Sequence, residues 1–236
     1  MLEVSHLSAG YGAAKVLEDV SIAVDEGKFV VITGPNGHGK TTLLRVLSGL
    51  LPVDRGEIQF RGDRLNGRSA ATIVARGLVH IPQGDLLFVD LTVEQNLYMG
   101  AYLRHAWKAR RERIRRVYEL FPRLEERRTQ QARTLSGGER RMLGIGRGLM
   151  SNAKMLMVDE PALGLAPVLV QEVYATLERI ARSEATVLLV EETLANARGI
   201  ADYVYLMDTG RIVHEGTMAD LGADVLASTY LGSKEG

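Results

Sequence analysis

Two hundred and thirty-six residues, 46% of them apolar and 25% charged, suffice for one large domain or for one domain carrying an insertion, and they exclude wholesale disorder. Lys plus Arg (29) balance Asp plus Glu (29), and the zero net charge disfavours a dedicated DNA or RNA binder while leaving room for a local basic patch. Cysteine is absent, which excludes disulfides, thiolate zinc sites and cysteine nucleophiles together and fits a reducing compartment.

The chain opens Met1-Leu2-Glu3-Val4-Ser5-His6, without a basic segment followed by an apolar one, so no secretory signal is expected. Leu2 and Val4, then Val20, Ile22 and Val24, alternate apolar with polar as half-buried strands do, with a turn at Gly10-Tyr11-Gly12. Phe29-Val30-Val31-Ile32-Thr33 is a continuous β-rich run, suited to a strand buried on both faces, and it stops at Gly34-Pro35-Asn36-Gly37. Residues 41–51 then show helical spacing through Leu43, Leu44, Leu47 and Leu50. Residues 57–60 and 78–81 read as short strands. From Thr92 to about Leu149 the strand signals vanish, and helices are predicted over 93–102, 107–119 and 138–149. Strands return at 155–158 and 187–190 around a helix over 167–181. A hairpin is predicted from 203–207 and 211–214 across Asp208-Thr209-Gly210, and the last dozen residues are expected to be helical. No apolar run approaches the roughly 20 residues that span a bilayer. One compact unit with a helical lobe is the simplest organisation.

Gly34-Pro35-Asn36-Gly37-His38-Gly39-Lys40-Thr41 matches G-x-x-x-x-G-K-[ST] and sits between a buried strand and a helix. Glycines let backbone N–H groups wrap an anion, and the following helix N-terminus favours negative charge. Lys40 can reach the outer phosphates and Thr41 offers a hydroxyl to Mg²⁺. His38 fills a free position of the pattern; it either adds a proton-dependent phosphate contact or points to solvent. Met155-Leu156-Met157-Val158-Asp159-Glu160 ends an apolar strand in two acids, beside the loop if the strands are parallel. Asp159 can hold Mg²⁺ and Glu160 can take a proton from attacking water. Leu135-Ser136-Gly137-Gly138-Glu139 supplies a natural N-cap and exposed N–H groups, a second phosphate-binding end. One nucleotide does not need both ends from one chain, but two chains can each contribute one.

With the phosphate loop, Gln83 after Pro82, residues 135–139 and Asp159-Glu160 in this order and spacing, the chain resembles the ATP-binding subunits of ABC transporters over essentially its whole length. The resemblance implies an α/β fold: a P-loop NTPase (RecA-like) core, an antiparallel β subdomain and an inserted α-helical subdomain. A single domain over 1–236 follows, with the core in 1–88 and 151–236 and the helical lobe in about 89–150. It implies ATP and Mg²⁺ as cofactors and a head-to-tail dimer, each ATP touching Gly34, Asn36, Gly37, His38, Gly39, Lys40, Thr41 and Thr42 of one chain. Ser136, Gly137, Gly138 and Glu139 of the partner would close over it. Tyr11 falls where the family stacks an aromatic ring on adenine, the alternative being a turn tyrosine on the core. Gln83 falls where the family couples Mg²⁺ and water to the helical lobe, the alternative being an ordinary loop glutamine. Thr41, Gln83 and Asp159 form the implied metal set; Lys40, Gln83, Glu160 and Glu192 the catalytic set.

Residues 160–167, 91–97 and 99–102 look like the smaller ATPase of branched-chain amino-acid importers, a subgroup whose relatives import urea or short amides. The implied function is an ATP-hydrolysing motor subunit for import of branched-chain or other hydrophobic amino acids. Lipid or lipopolysaccharide export is an alternative, and a non-transport relative acting on DNA or ribosomes is a further one. Implied partners are a second, identical or related ATPase, two membrane-spanning permease subunits and an external solute-binding protein, with no nucleic acid. The implied place is the cytoplasmic face of the inner membrane, held peripherally. One position departs from the family. Glu192 stands where most members carry histidine and the branched-chain subgroup often carries glutamine. An ionised glutamate cannot donate to a γ-phosphate and adds like charge beside it. It is expected to be protonated, to turn away, or to slow this half-site; the alternative is a solvated strand-end acid. Finally, residues 108–116 are dense in Arg and Lys. They attract anionic lipid or an acidic loop, or form a solvated face with Ile114, Val117 and Leu120 packed inward, the reading preferred on sequence.

Overall fold

The computed structural model describes residues 1–84 and 86–221, so the helix expected over the last dozen residues lies outside the described residues. Strands β1 (Leu2–Tyr11) and β2 (Ala14–Val24) pair antiparallel, Leu2 opposite Val24 and Val4 opposite Ile22. The alternation does not run through. His6 and Asp19 both take left-handed backbone, and the register shifts between Val4 and Leu7. This bulge re-aims the strand so that Leu7 and Ala9, rather than Ser8, continue the buried face.

After β3 (Phe29–Thr33) come the glycine loop and α1 (Lys40–Leu47), shorter than the spacing predicts and leaving Leu50 exposed. β4 (Arg55–Phe60) pairs with β1, and the two-residue β5 (Asp63–Arg64) closes a four-stranded sheet of order β2-β1-β4-β5. A short helix that sequence reading missed, α2 (Ala70–Ala75), is capped by Ser69 and buries only Ile73. β6 (Leu78–Ile81) follows.

The next stretch is helical throughout: α3 (Val93–Gly100), α4 (Arg104–Lys108), α5 (Arg110–Leu120), α6 (Pro122–Glu126), a 3₁₀ turn (Ala132–Thr134) and α7 (Gly137–Leu149). α3 starts on a capping box, Thr92 with Gln95, and ends where Gly100 lies against α7. A Cβ at Gly100 would sit 2.0 Å from the Arg147 carbonyl, so the two helices cross on a glycine. The helix expected over 107–119 is broken at Ala109 into α4 and α5, and Ile114, Val117 and Leu120 do face inward.

β7 (Met155–Asp159), α8 (Pro167–Ser183), β8 (Thr186–Glu191), β9 (Tyr203–Asp208) and β10 (Arg211–Gly216) complete the described chain. The second sheet runs β10-β9-β3-β8-β7-β6, parallel except for β10. β3 divides two cores. Val30 and Ile32 face α1 and the antiparallel sheet, while Phe29 and Val31 face the helices, which is why its five residues read as one apolar run. The parallel register brings the carboxyl ends of four strands to one edge: Thr33 opposite Glu191 and Leu206, and Asp159 opposite Val190. Ligands bind at such an edge of open α/β sheets. Among the described residues no helix is long and apolar enough to cross a membrane.

Candidate active site

The loop between β3 and α1 folds because three glycines, Gly34, Gly37 and Gly39, take backbone that other residues resist. Gly34 has φ 153°, and a Cβ there would lie 2.0 Å from the Met207 carbonyl oxygen. Gly39 (φ 102°) is the N-cap of α1, and no side chain caps that helix. Its first N–H groups are therefore free to meet an anion. Lys40 curls back into the loop, its Nζ donating to the carbonyls of Gly34 at 2.7 Å and Pro35 at 2.9 Å. Burial lowers its pKa, opposed by the carboxylates of Glu160, Glu192, Asp159 and Glu191. Those four acids surround one ammonium at the sheet edge. Tyr11, at the end of β1, is exposed, and its hydroxyl accepts from Arg45 at 3.1 Å. That bond lowers the phenol pKa, and Thr42 also acts on the hydroxyl, which sets the ring beside the start of α1.

Asp159 is 1% exposed, and neither of its oxygens has a hydrogen-bond partner among the described residues. Burial raises its pKa; the Thr41 hydroxyl and the Lys40 charge oppose the rise. Two orphaned carboxylate oxygens beside a hydroxyl fit a hard, oxygen-seeking cation such as Mg²⁺. Glu160 follows in left-handed backbone (φ 43°), a conformation that costs about 1–3 kcal/mol in a non-glycine residue. Its N–H donates to Val190 O at 3.0 Å, and its Oε2 accepts from Gln83 Nε2 at 2.9 Å. Burial raises the Glu160 pKa, the Lys40 charge opposes, and Asp159 and Glu192 add to the rise. A carboxylate so placed is a better base than a solvated one.

Three placements differ from what the sequence suggests. His38 neither points to solvent nor lines the cradle: its Nδ1 lies 2.7 Å from Asp208 Oδ1 and 3.1 Å from the Thr209 nitrogen. The ring fastens the loop to the β9–β10 hairpin, because the left-handed turn at Thr209-Gly210 brings Asp208 under it. Glu139 is turned inward. Its carboxylate accepts from Ser136 N at 2.9 Å and pairs with Arg127 at 2.5 Å, completing a capping box in which Ser136 Oγ accepts from Glu139 N. Burial raises its pKa, but the Ser136 bonds and Arg127 outweigh it and the net shift is downward. Gly137 and Gly138 lead α7 here, and a Cβ at Gly138 would lie 2.9 Å from Leu169 of α8. Glu192 is exposed yet not loose: its Oε2 accepts from Asn36 Nδ2 of the phosphate loop at 3.0 Å.

In the sequence Glu191 looks like no more than one half of an acidic strand end. Burial pushes its carboxyl up to about 7, opposed by a short hydrogen bond from the buried Tyr174 hydroxyl and reinforced by Glu160. Strand alternation was the available signal: neighbours at a strand end point to opposite sides, so Glu191 and Glu192 could not share one environment. Helix α7 and the loop that carries Gln83 are joined as well, by Arg141 Nη1 donating to Gly84 O at 3.1 Å.

A glycine cradle with its lysine, an orphaned buried aspartate and a glutamine-bound glutamate together define a nucleotide-hydrolysing site of the P-loop class. The family model for ABC transporters matches residues 17–163, and the chain belongs to that family. It is 41% identical to the high-affinity branched-chain amino acid transport ATP-binding protein BraG of Pseudomonas aeruginosa, covering 98% of this chain and all of the relative. It is 34% identical to a probable branched-chain amino acid transport ATP-binding protein of Archaeoglobus fulgidus, covering 94% of each. The lipopolysaccharide export ATP-binding protein LptB of Escherichia coli is 31% identical over 98% of this chain and 97% of its own. An ATP-binding cassette of an ABC transporter solved in its ADP conformation superposes with a TM-score of 0.87 at 27% identity, 98% of each chain covered. This chain is thus an ABC-type ATPase subunit, and the α/β fold read from its sequence is the fold it has.

Proposed function

We propose that this chain couples ATP hydrolysis to the import of branched-chain or similar hydrophobic amino acids. The observation that carries the hydrolytic half is the sheet edge itself: Lys40 on the Gly34 and Pro35 carbonyls, beside an Asp159 without a hydrogen-bond partner among the described residues and a Gln83-bound Glu160. The import half rests on likeness to the two branched-chain relatives, which exceeds that to the export ATPase.

Lys40 exchanges the loop carbonyls for phosphate oxygens, and the N–H groups from Gly37 to Thr42 hold the chain of phosphates. Mg²⁺, held by Thr41, Asp159 and Gln83, would neutralise charge on the outer phosphates. Glu160 takes a proton from water as its oxygen bonds to the terminal phosphorus, and the bond to the ADP oxygen breaks, yielding ADP and phosphate. Tyr11 offers its exposed ring to adenine. Ser136, Gly137 and Gly138 of a facing molecule close the site, and that molecule is identical or related. Glu192, tied to Asn36, places negative charge against the incoming terminal phosphate, so Glu192→Gln or Glu192→His raises turnover in the assembled complex. Unchanged turnover in both variants refutes that role.

An apolar groove of about 430 Å³, lined by Pro82, Leu86, Phe88, Met99 and Tyr102, lies between the Gln83 loop and α3. It fits a loop from a membrane-spanning partner, with an external binding protein supplying the amino acid. Arg141 connects this groove to α7, the helix that Ser136 caps. The test is purification through this chain from its native membrane. Two spanning subunits and a second ATPase are expected, with leucine uptake by the reconstituted complex lost in Lys40→Ala. Recovery without spanning subunits overturns the transport reading.

A further inference from the structure

We propose that the α4–α5 face binds anionic lipid headgroups directly. The chain is neutral overall, yet residues 104–116 hold seven Lys or Arg and one acid, Glu112. Glu112 is already engaged by Arg116 at 2.8 Å. Arg104, Lys108, Arg111 and Arg115 are exposed and have no carboxylate within ion-pair distance among the described residues. A solvated helix face usually intersperses both signs; this one does not.

Aromatic residues flank the charge. Trp107 is 47% exposed and Tyr102 57% exposed, with Met99 exposed beside them. Trp and Tyr favour the headgroup level of a bilayer, where one end is apolar and the other wet. Arg110 lies 4.1 Å over the Trp107 ring and Tyr98 meets it edge-on at 6.2 Å. A ring covered on one face by a guanidinium is a poor platform for stacking a nucleic-acid base, and no further aromatic is interleaved with the arginines. Positive charge with an amphipathic aromatic rim matches an anionic membrane surface. The patch is continuous with the groove through Tyr102 and Met99. Only its orientation toward the bilayer rests on the motor reading.

Trp107 is the sole tryptophan of the chain and sits inside the patch, so its emission reports contact directly. The purified full chain is titrated with vesicles of phosphatidylcholine alone, and with vesicles containing about one-third phosphatidylglycerol. A blue shift and co-flotation are expected with the anionic vesicles only, and reversal at high salt. Arg104→Gln with Lys108→Gln and Arg111→Gln should weaken partitioning about a hundredfold, while Arg104→Lys with Arg111→Lys should retain it. Binding of a fluorescent ATP analogue, measured on each variant, reports that the fold and the phosphate loop survive. Absence of binding to anionic vesicles overturns the proposal, as does equal binding to neutral ones or undiminished binding by the triple glutamine variant. Tighter binding to RNA than to anionic vesicles at the same salt also overturns it. None of these outcomes bears on ATP hydrolysis, which fails separately with Lys40→Ala.

Discussion

Replacing Glu191 with glutamine isolates the cost of holding a carboxyl group behind Glu160. Burial raises the Glu191 pKa from 4.5 to about 7 in the folded chain. Between those values the folded chain holds a proton that the unfolded chain has released. Stability contributed by the protonated form is complete below about pH 4.5 and is lost as pH rises through about 7. At about 1.4 kcal/mol per pH unit, the penalty grows by about 2.5 kcal/mol from pH 5 to pH 8. Glutamine cannot ionise and keeps an oxygen to accept from Tyr174. Urea unfolding of both proteins, without nucleotide and with chelator present, should show Glu191→Gln gaining on the natural chain by about 2–3 kcal/mol across that range. A difference that stays flat between pH 5 and pH 8 refutes the argument, because it would place an ionised carboxylate against Tyr174 at both pH values.

Gly34→Ala should abolish binding of a fluorescent ATP analogue, since the new Cβ would meet the Met207 carbonyl at 2.0 Å and displace the loop; ordinary affinity contradicts the strained-loop account. Asn96 is fully buried and bonds Phe88, Leu91 and Thr92, so Asn96→Ala should cost about 2–4 kcal/mol and speed amide exchange across 88–92. Exchange unchanged in that loop argues that the groove is held in some other way.

The elements most legible in the sequence are those whose signal is local. Phe29–Thr33 is bounded by glycine chemistry and buried on both faces, so its run and its stop are both visible. Leu78–Ile81 ends visibly too, at Pro82, which has no N–H to extend the ladder. Less legible is whatever depends on a distant partner. The left-handed pair at His6 and Asp19 is joined across two strands, His6 Nδ1 lying 2.8 Å from Asp19. His38 finds Asp208, 170 residues away, where sequence offers only a free position in a motif. The split at Ala109 falls in a run of good helix formers, Lys, Ala and Arg, whose local preference gives no warning of a break. Among the functional side chains, Lys40, Asp159 and Glu160 were legible because each sits at the end of a strand or loop whose type is plain. Glu191 and Tyr174 were not: their pairing requires α8 to lie against β8, a tertiary fact with no local mark.

Phosphate release in a single turnover, measured on the assembly purified through this chain with Glu160→Gln in place, bears most directly on the claim that this sheet edge hydrolyses ATP. The variant should bind ATP with near-normal affinity and release phosphate at least a hundredfold more slowly, the usual scale for losing a positioned general base. Release at the natural rate, with ATP bound, would mean that the carboxylate held by Gln83 is not the base and that the assignment of the site is wrong.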